Sequence, residues 1–176
     1  MLLTKMTIGT TDHPNNNSVA MLVDTGSSWS WVKSCDPSRS SYWQDNSCPY
    51  FRQNDSSTLT STGEDHSIEY GGGWMTISGP VYEDYMQPQG AAPDEVRAKM
   101  PIILKHVPRV TYAQPYGGIL GLSPDDESAG PLFINYLYDQ EKIRDKKFSV
   151  MPSLSAYQEG KLTYGDYQRA NVEKRH

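Results

Sequence analysis

The stretch Val19-Ala20-Met21-Leu22-Val23-Asp24-Thr25-Gly26-Ser27-Ser28 limits the fold more than any other part of this sequence. Five apolar residues in a row read as a buried strand. The run ends on a carboxylate, which is costly beside a core unless it is hydrogen-bonded or paired. Gly26 lets the backbone bend at once, and the Thr25 and Ser27 hydroxyls and the turn N–H groups are candidates to hold Asp24. Most aspartates in such turns make a local turn bond and nothing more. Hydrogen bonds to an ionised carboxyl lower its pKa, whereas a second carboxylate alongside raises one of the two. A catalytic role for Asp24 therefore calls for a partner acid.

The rest of the chain reads as β structure. Thr4 to Val23 forms a hairpin around the turn cluster "DHPNNNS", and "WSWV" is a short strand. Lys33 to Asp65, rich in Ser and Asp, reads as long loops. "HSIEYGGGWMTISGPVYEDYM" is a hairpin whose tip, Gly71-Gly72-Gly73, supplies the positive φ angles of a tight turn. "QPQGAAPDEVRAK" is a surface loop, and "MPIILKHVPRVTYA" and "GGILGL" are strands. The spacing of Leu132, Phe133, Tyr136 and Leu137 predicts one short helix near Pro131 to Gln140, with the proline in its first turn. "KFSVMPSLSAYQEGKLTYGD" closes with another hairpin. The expected fold is all-β, in a single domain of 176 residues. Gly 14, Pro 12 and Tyr 12 agree with a turn-rich β protein rather than a helical bundle.

Charge and short motifs narrow the functions. A net charge of −5 argues against nucleic acid or an anionic membrane as partner. No apolar stretch approaches the ~20 residues needed to span a bilayer. The start, "MLLTKMTIGT", meets a lysine too early for a secretory apolar region, so the chain as given carries no signal peptide. Cys35 and Cys48 flank a polar loop. They are either a disulfide, worth roughly 3 kcal/mol for a loop of about 15 residues, or two free thiols. Without a CxxC pair, and with His13, His66, His106 and His176 scattered and read as exposed surface, no metal site and no cofactor is expected. A G-x-S-x-G elbow is absent as well. Asn16 and Asn54 head glycosylation triplets, which matter only in a secreted protein.

Five segments in order carry a family likeness. "MLVDTGSSWSWV" resembles the active-site segment of the pepsin-like aspartic proteases, and "SIEYGGGWMTISG" resembles their flap. "GGILGL" is similar to the segment that crosses behind the catalytic turn. "PLFINYLYDQEKI", with "KFSV" and "KLTYGD", matches the family's helix and later strands. The likeness spans about residues 4–166 and implies that 1–176 is the N-terminal lobe of a normally bilobal fold, without the C-terminal lobe. It makes Asp24 one of two carboxylates that hold and activate water. Thr25 and Gly26 complete its turn, and Ser27 hydrogen-bonds the carboxylate. Tyr70 sits on the flap and donates its hydroxyl to Trp31 or to a water near it. Leu22, Tyr116 and Ile119 line pockets for apolar substrate side chains, with the flap glycines Gly71 and Gly72 alongside. For Leu22, Trp31 and Ile119, plain core is an equal alternative. The likeness also implies a Cys35–Cys48 disulfide and a secreted or endolysosomal/vacuolar location.

The chain departs from the family at Gly117, where an acidic residue is usual, at Glu141, where glycine usually ends the helix, and at Trp74, which narrows the cleft. It also holds one D-T-G and no second D-[ST]-G. Asp125 and Asp126 sit in "SPDDESAG", which reads as a solvated turn. The favoured explanation is a fragment of a two-lobed protease acting on peptide or protein. The alternatives are a lobe that pairs with a second copy of itself, and a non-catalytic lobe that binds peptide or protein.

Overall fold

The computed structural model describes residues 1–10, 17–35, 38, 50–92, 95–107, 115–124, 130–153 and 159–165. Its strands are β1 (Leu3–Ile8), β2 (Ser18–Asp24), β3 (Trp31–Cys35), β4 (Phe51–Arg52), β5 (Thr60–Tyr70), β6 (Met75–Pro88), β7 (Ala98–His106), β8 (Gly118–Gly121), β9 (Phe148–Met151) and β10 (Lys161–Tyr164), with one helix, α1 (Phe133–Asp139). The large sheet runs β1-β2-β8-β3-β7-β6-β5, and β1 also pairs with β6, so six of its strands close into a ring. Pairing β1–β2 is antiparallel, while β2–β8 and β3–β7 are parallel. β9 and β10 form a separate antiparallel pair. The expected all-β lobe with one short helix is the fold observed.

Two apolar clusters explain why the central strands read as continuous hydrophobic runs. Successive side chains on a strand point to opposite faces. Ile102 and Leu104 of β7, Val32 of β3 and Leu120 of β8 enter the larger core, with Met6, Met21 and Phe133. Their neighbours Ile103, Trp31 and Ile119 enter a smaller second cluster with Ile77 and Val81. Burial of both faces removes the polar alternation that marks a half-exposed strand. Glycines bracket β8 because it passes against other backbone. A Cβ at Gly118 would collide with the Trp31 carbonyl, and one at Gly121 would lie 2.7 Å from the Trp29 carbonyl oxygen.

Several boundaries differ from the sequence reading. Thr60–Asp65 belongs to β5 rather than to a loop, and those six residues are exposed, so no apolar alternation announces them. Gln87 and Pro88 extend β6, Ala98 and Lys99 begin β7, and β3 starts at Trp31 rather than Trp29. Pro131 precedes the helix, whose N-cap is Leu132. The helix buries Phe133, Ile134 and Leu137. Gln140 ties its end to β7 by accepting from the Lys99 N–H at 3.0 Å and donating to the Lys99 carbonyl at 2.8 Å. Glu141 follows at φ 58°, the left-handed position for which glycine is the usual residue. No described helix is long and apolar enough to cross a membrane.

Candidate active site

Asp24 is the last residue of β2, and its backbone is fixed from both sides. Val23 bonds the Leu2 carbonyl through its N–H at 3.0 Å, and Leu122 donates to the Asp24 carbonyl at 2.8 Å. β8 lies alongside in parallel register, Leu22 against Ile119 and Asp24 against Gly121. The carboxylate is half-buried and accepts the Gly26 N–H at 2.9 Å, while Thr25 and Gly26 are exposed. That bond is the local turn contact expected of an aspartate there.

Ser27 departs from expectation. Its hydroxyl donates to the Trp29 carbonyl at 3.2 Å and shares a hydrogen bond of 3.1 Å with the Tyr70 hydroxyl, rather than reaching the Asp24 carboxylate. The residue is 5% exposed, so the network is largely shielded from water. The Tyr70–Trp31 contact is present but runs the other way. Indole N–H is donor only, so Trp31 Nε1 donates to Tyr70 Oη at 3.0 Å, leaving the phenol proton for Ser27. Burial raises the Tyr70 pKa above its ordinary value. The Ser27 and Trp31 hydrogen bonds oppose that rise, and the charge of Asp24 adds to it. Tyr70 therefore stays a neutral phenol and couples electrostatically to Asp24.

The β5–β6 hairpin reaches this point with its inner face. Tyr70 pairs with Met75 and Ile68 with Ile77, and all four pack into the second cluster beside Trp31 and Ile119. The opposite face carries Ser67 and Ser78, hydroxyl to hydroxyl at 2.8 Å. At the tip, Gly71, Gly72 and Gly73 have φ of 59°, 66° and 97°. Leu22 and Tyr116 are half-buried edges of the same cluster, whereas Ile119 is 3% and Trp31 1% exposed. Those two are chiefly core. The Lys33 ammonium steadies Tyr116, donating to its carbonyl at 3.2 Å and lying 5.5 Å from its ring centre. Burial, with Lys105 nearby, lowers the Lys33 pKa.

Two histidines differ from the sequence reading. His66 is not an exposed histidine: its ring stacks on Trp29 with centroids 4.0 Å apart and planes 20° apart. His106 is also half-buried, with Nδ1 shielded from water. The i, i+2, i+4 spacing of His66, Ile68 and Tyr70 was the available signal, since it places them on one face. Trp74 does not close down on the cleft wall; it is 94% exposed. Gly117 has a packing reason, because a Cβ there would lie 2.7 Å from Val19 Cγ1. Cys35 is buried at the end of β3 and is not a free thiol. Cys48, Asn16, His13, His176, Asp125 and Asp126 lie outside the described residues. Asn54 is exposed in the 3-10 turn Gln53–Asp55. Among the described residues, no group of three His, Cys, Asp or Glu side chains is placed to hold a metal ion.

Residues 2–176 match the eukaryotic aspartyl protease family. The chain belongs to that family. Pepsin A of Bos taurus is 33% identical over 149 residues, covering 83% of this chain and 38% of that protein. "Probable aspartic-type endopeptidase CTSD" of Arthroderma benhamiae and its namesake from Trichophyton verrucosum are each 26% identical over 154 residues, covering 85% of this chain and 28% of theirs. The chain thus spans roughly a third of the length of the curated relatives it matches. The D-T-G turn stands at the end of β2. The structure puts Tyr70, Trp31 and Ser27 around that turn in a single hydrogen-bonded unit.

Proposed function

We propose that this chain is one carboxylate-bearing lobe of an aspartic endopeptidase, hydrolysing peptide bonds when a second Asp-bearing lobe stands opposite. Asp24 then holds the attacking water. One carboxylate of the pair, ionised, takes the water's proton, while the other, protonated, donates toward the peptide carbonyl. The two acids titrate as a coupled pair, which suits acid pH. The observation that carries the reading is the half-buried Asp24 carboxylate in its Gly26 turn, facing a hairpin pinned by Tyr70 to Ser27 and Trp31.

In this reading the β5–β6 hairpin is the flap, and Leu22, Tyr116 and the tip glycines Gly71 and Gly72 border the bound peptide. Residues 1–176 act as the N-terminal lobe, and the partner is either a C-terminal lobe or a second copy of the chain. Cys35, at the end of β3, and Cys48 form a disulfide. That bond, with the family membership, fits a secreted or endolysosomal/vacuolar protein.

A single lobe lacks both the second acid and the other wall of the cleft, so positioning of the peptide is lost as well. The purified monomer is therefore expected to show almost no cleavage of an unfolded protein substrate at acid pH. Activity should appear on pairing, rise faster than linearly with concentration if two copies pair, and vanish in Asp24→Asn. Robust cleavage by a demonstrated monomer, or indifference to Asp24→Asn, would overturn the assignment. A lobe that binds peptide yet never cleaves it in any paired form would instead be a non-catalytic binding module.

A further inference from the structure

Two side chains on the inner face of β5 grip two residues of the segment that follows Asp24. Alternation along the strand sets His66, Ile68 and Tyr70 on one face. The Tyr70 hydroxyl shares a hydrogen bond with Ser27, and the His66 ring stacks on Trp29 with centroids 4.0 Å apart and planes 20° apart. Ser27 and Trp29 are themselves joined, since the Ser27 hydroxyl donates to the Trp29 carbonyl at 3.2 Å. The proposed chemistry draws on the tyrosine contact alone and leaves the histidine without a role.

Trp29 is a fixed platform. Its carbonyl oxygen lies where a Cβ at Gly121 of β8 would approach to 2.7 Å. Its indole lies so close to Gly130 that a Cβ there would stand 2.5 Å from Nε1 and 2.7 Å from Cδ1. Backbone and ring are thus both backed by neighbouring chain, while His66 meets the ring face. The hairpin is the side that can move. β6 makes its last rung to β7 at Val81, and the rung between His66 and Gly79 lies beyond it, toward the tip. Lifting the hairpin therefore separates the two rings.

We propose that His66 is a positioning residue of this site, fastening the β5–β6 hairpin to the Asp24 segment through Trp29, and that a proton on its ring tightens the fastening. Treating the hairpin as part of a site rests on the endopeptidase reading; the contact itself does not. Histidine is the side chain whose charge changes between about pH 5 and 8. An indole face attracts a cation, and tryptophan does so best among the aromatic side chains. An imidazolium on Trp29 is therefore held more firmly than a neutral ring. The acids of the hairpin itself, Glu64, Asp65 and Glu69, travel with His66 and favour its charged form whether the hairpin is down or lifted. Its rung partner on β6, Gly79, carries no charge. Across the contact, Asp24 in the turn before Trp29, and Asp139, which lines a groove with Trp29, add to the attraction for a charged ring. The fastening is thus strongest with the proton on and weakens as pH rises through the His66 titration. The hairpin is then most firmly seated in the acid range that suits a carboxylate pair.

The test is amide hydrogen exchange on the full chain, read by NMR for Ile68 to Ile77 between ~pH 4.5 and ~pH 7.5. Each rate is divided by the intrinsic rate at that pH and referred to the amides of β2 and β8, which removes changes in global stability. Protection of the hairpin is expected to rise about two- to fivefold as pH falls, with the midpoint of the His66 ring-proton titration. His66→Phe keeps a stacked ring with no proton to gain, so its hairpin should show no such step. Trp29→Leu keeps apolar bulk without a ring face and should lose the step as well. A flat profile in the parent, or a step that survives in either variant, would overturn the positioning role. No cleavage enters the measurement. Its failure leaves the endopeptidase reading standing, and a failed Asp24→Asn cleavage test leaves the fastening standing.

Discussion

Asp84 offers the sharpest energetic test of how the ring of strands is held. It is 0% exposed, in β6 on the face that carries Tyr82 and Met86 into the larger core. A carboxylate there is tolerable because its oxygens are saturated. Oδ2 accepts the Ser56 hydroxyl at 2.7 Å, and Oδ1 accepts the Thr58 hydroxyl at 2.6 Å and the Tyr85 N–H at 2.8 Å. Gly9 makes the room, since a Cβ there would collide with Ser56 and lie 2.9 Å from Asp84 Oδ2. Asp84 thereby pins the segment leading into β5 to the middle of β6. Hydrogen bonds to a charged acceptor contribute about 1.5–3 kcal/mol each, so three give roughly 4–9 kcal/mol before desolvation is subtracted. Asp84→Ala removes them, leaves the buried Ser56 hydroxyl and the half-buried Thr58 hydroxyl with their mutual bond of 3.2 Å, and relieves the cost of burying the charge. The expected net loss is about 3 kcal/mol, or a melting temperature lower by about 6–12 °C. Urea unfolding followed by far-ultraviolet circular dichroism measures it. Asp84→Asn should lose about 2 kcal/mol, because an amide nitrogen cannot accept from either hydroxyl. A midpoint for Asp84→Ala within about 0.5 kcal/mol of the parent would refute the reasoning, showing that Ser56 and Thr58 are solvated as well without the carboxylate.

Three further substitutions probe the site and its frame. Gly121→Ala places a methyl 2.7 Å from the Trp29 carbonyl oxygen and 2.8 Å from that of Ser27, so it should destabilise by about 1–3 kcal/mol and shift the Trp31 indole signal. A normal melting curve with an unmoved indole would count against close packing there. Glu141→Gly relieves a side chain at φ 58° but loosens the unfolded chain, so it should be neutral to about 1 kcal/mol stabilising in urea; a clear loss would mean that the glutamate makes an interaction of its own. Tyr164→Phe removes a buried hydroxyl that has no hydrogen-bond partner among the described residues, and should stabilise by about 1 kcal/mol at neutral pH. Burial holds the folded Tyr164 phenol far above its ordinary value near 10, so the unfolded chain releases its proton first and stability falls as pH rises past 10. The variant should lose less stability between pH 9 and 11, and parallel pH profiles would contradict the assignment.

Much of the site was legible because its constraints are local. An apolar run ended by Asp-Thr-Gly can hardly be anything but a strand entering a turn, and the glycines of "GGILGL" mark a strand pressed against other backbone. The positive φ of Glu141 was also foreshadowed, by a helix end lacking its glycine. What stayed hidden depends on tertiary partners. The start of β5 shows no apolar period because both of its faces meet solvent. Ser27 turns to Trp29 and Tyr70 because the hairpin brings a phenol within reach, and nothing near Ser27 in sequence encodes that. Asp84 was findable in part: two-residue spacing from Tyr82 and Met86 places it facing the core, but its hydroxyl partners lie 26 and 28 residues away.

The two-cluster arrangement gives the site a rigid half and a yielding half. Asp24 belongs to the ring: β1 and β8 flank β2, and the larger core fills the space behind them. Displacing its backbone means breaking ladder bonds on both sides and opening a core that includes Met21, Leu120 and Phe133. The end of the hairpin has no such support. Beyond Val81, β6 leaves β7, so Tyr70 and Met75 are held by their mutual rung, the inner cluster and two hydrogen bonds to one phenol oxygen. Those bonds contribute on the order of 1 kcal/mol each, within reach of what a bound peptide offers in exchange. In the endopeptidase reading proposed above, a carboxylate that must not move and a cover that must open to admit a peptide therefore differ in their attachment to the same sheet. The division falls at Val81, where the last rung to β7 ends and the three glycines of the tip, Gly71 to Gly73, are still a stretch of strand and turn away.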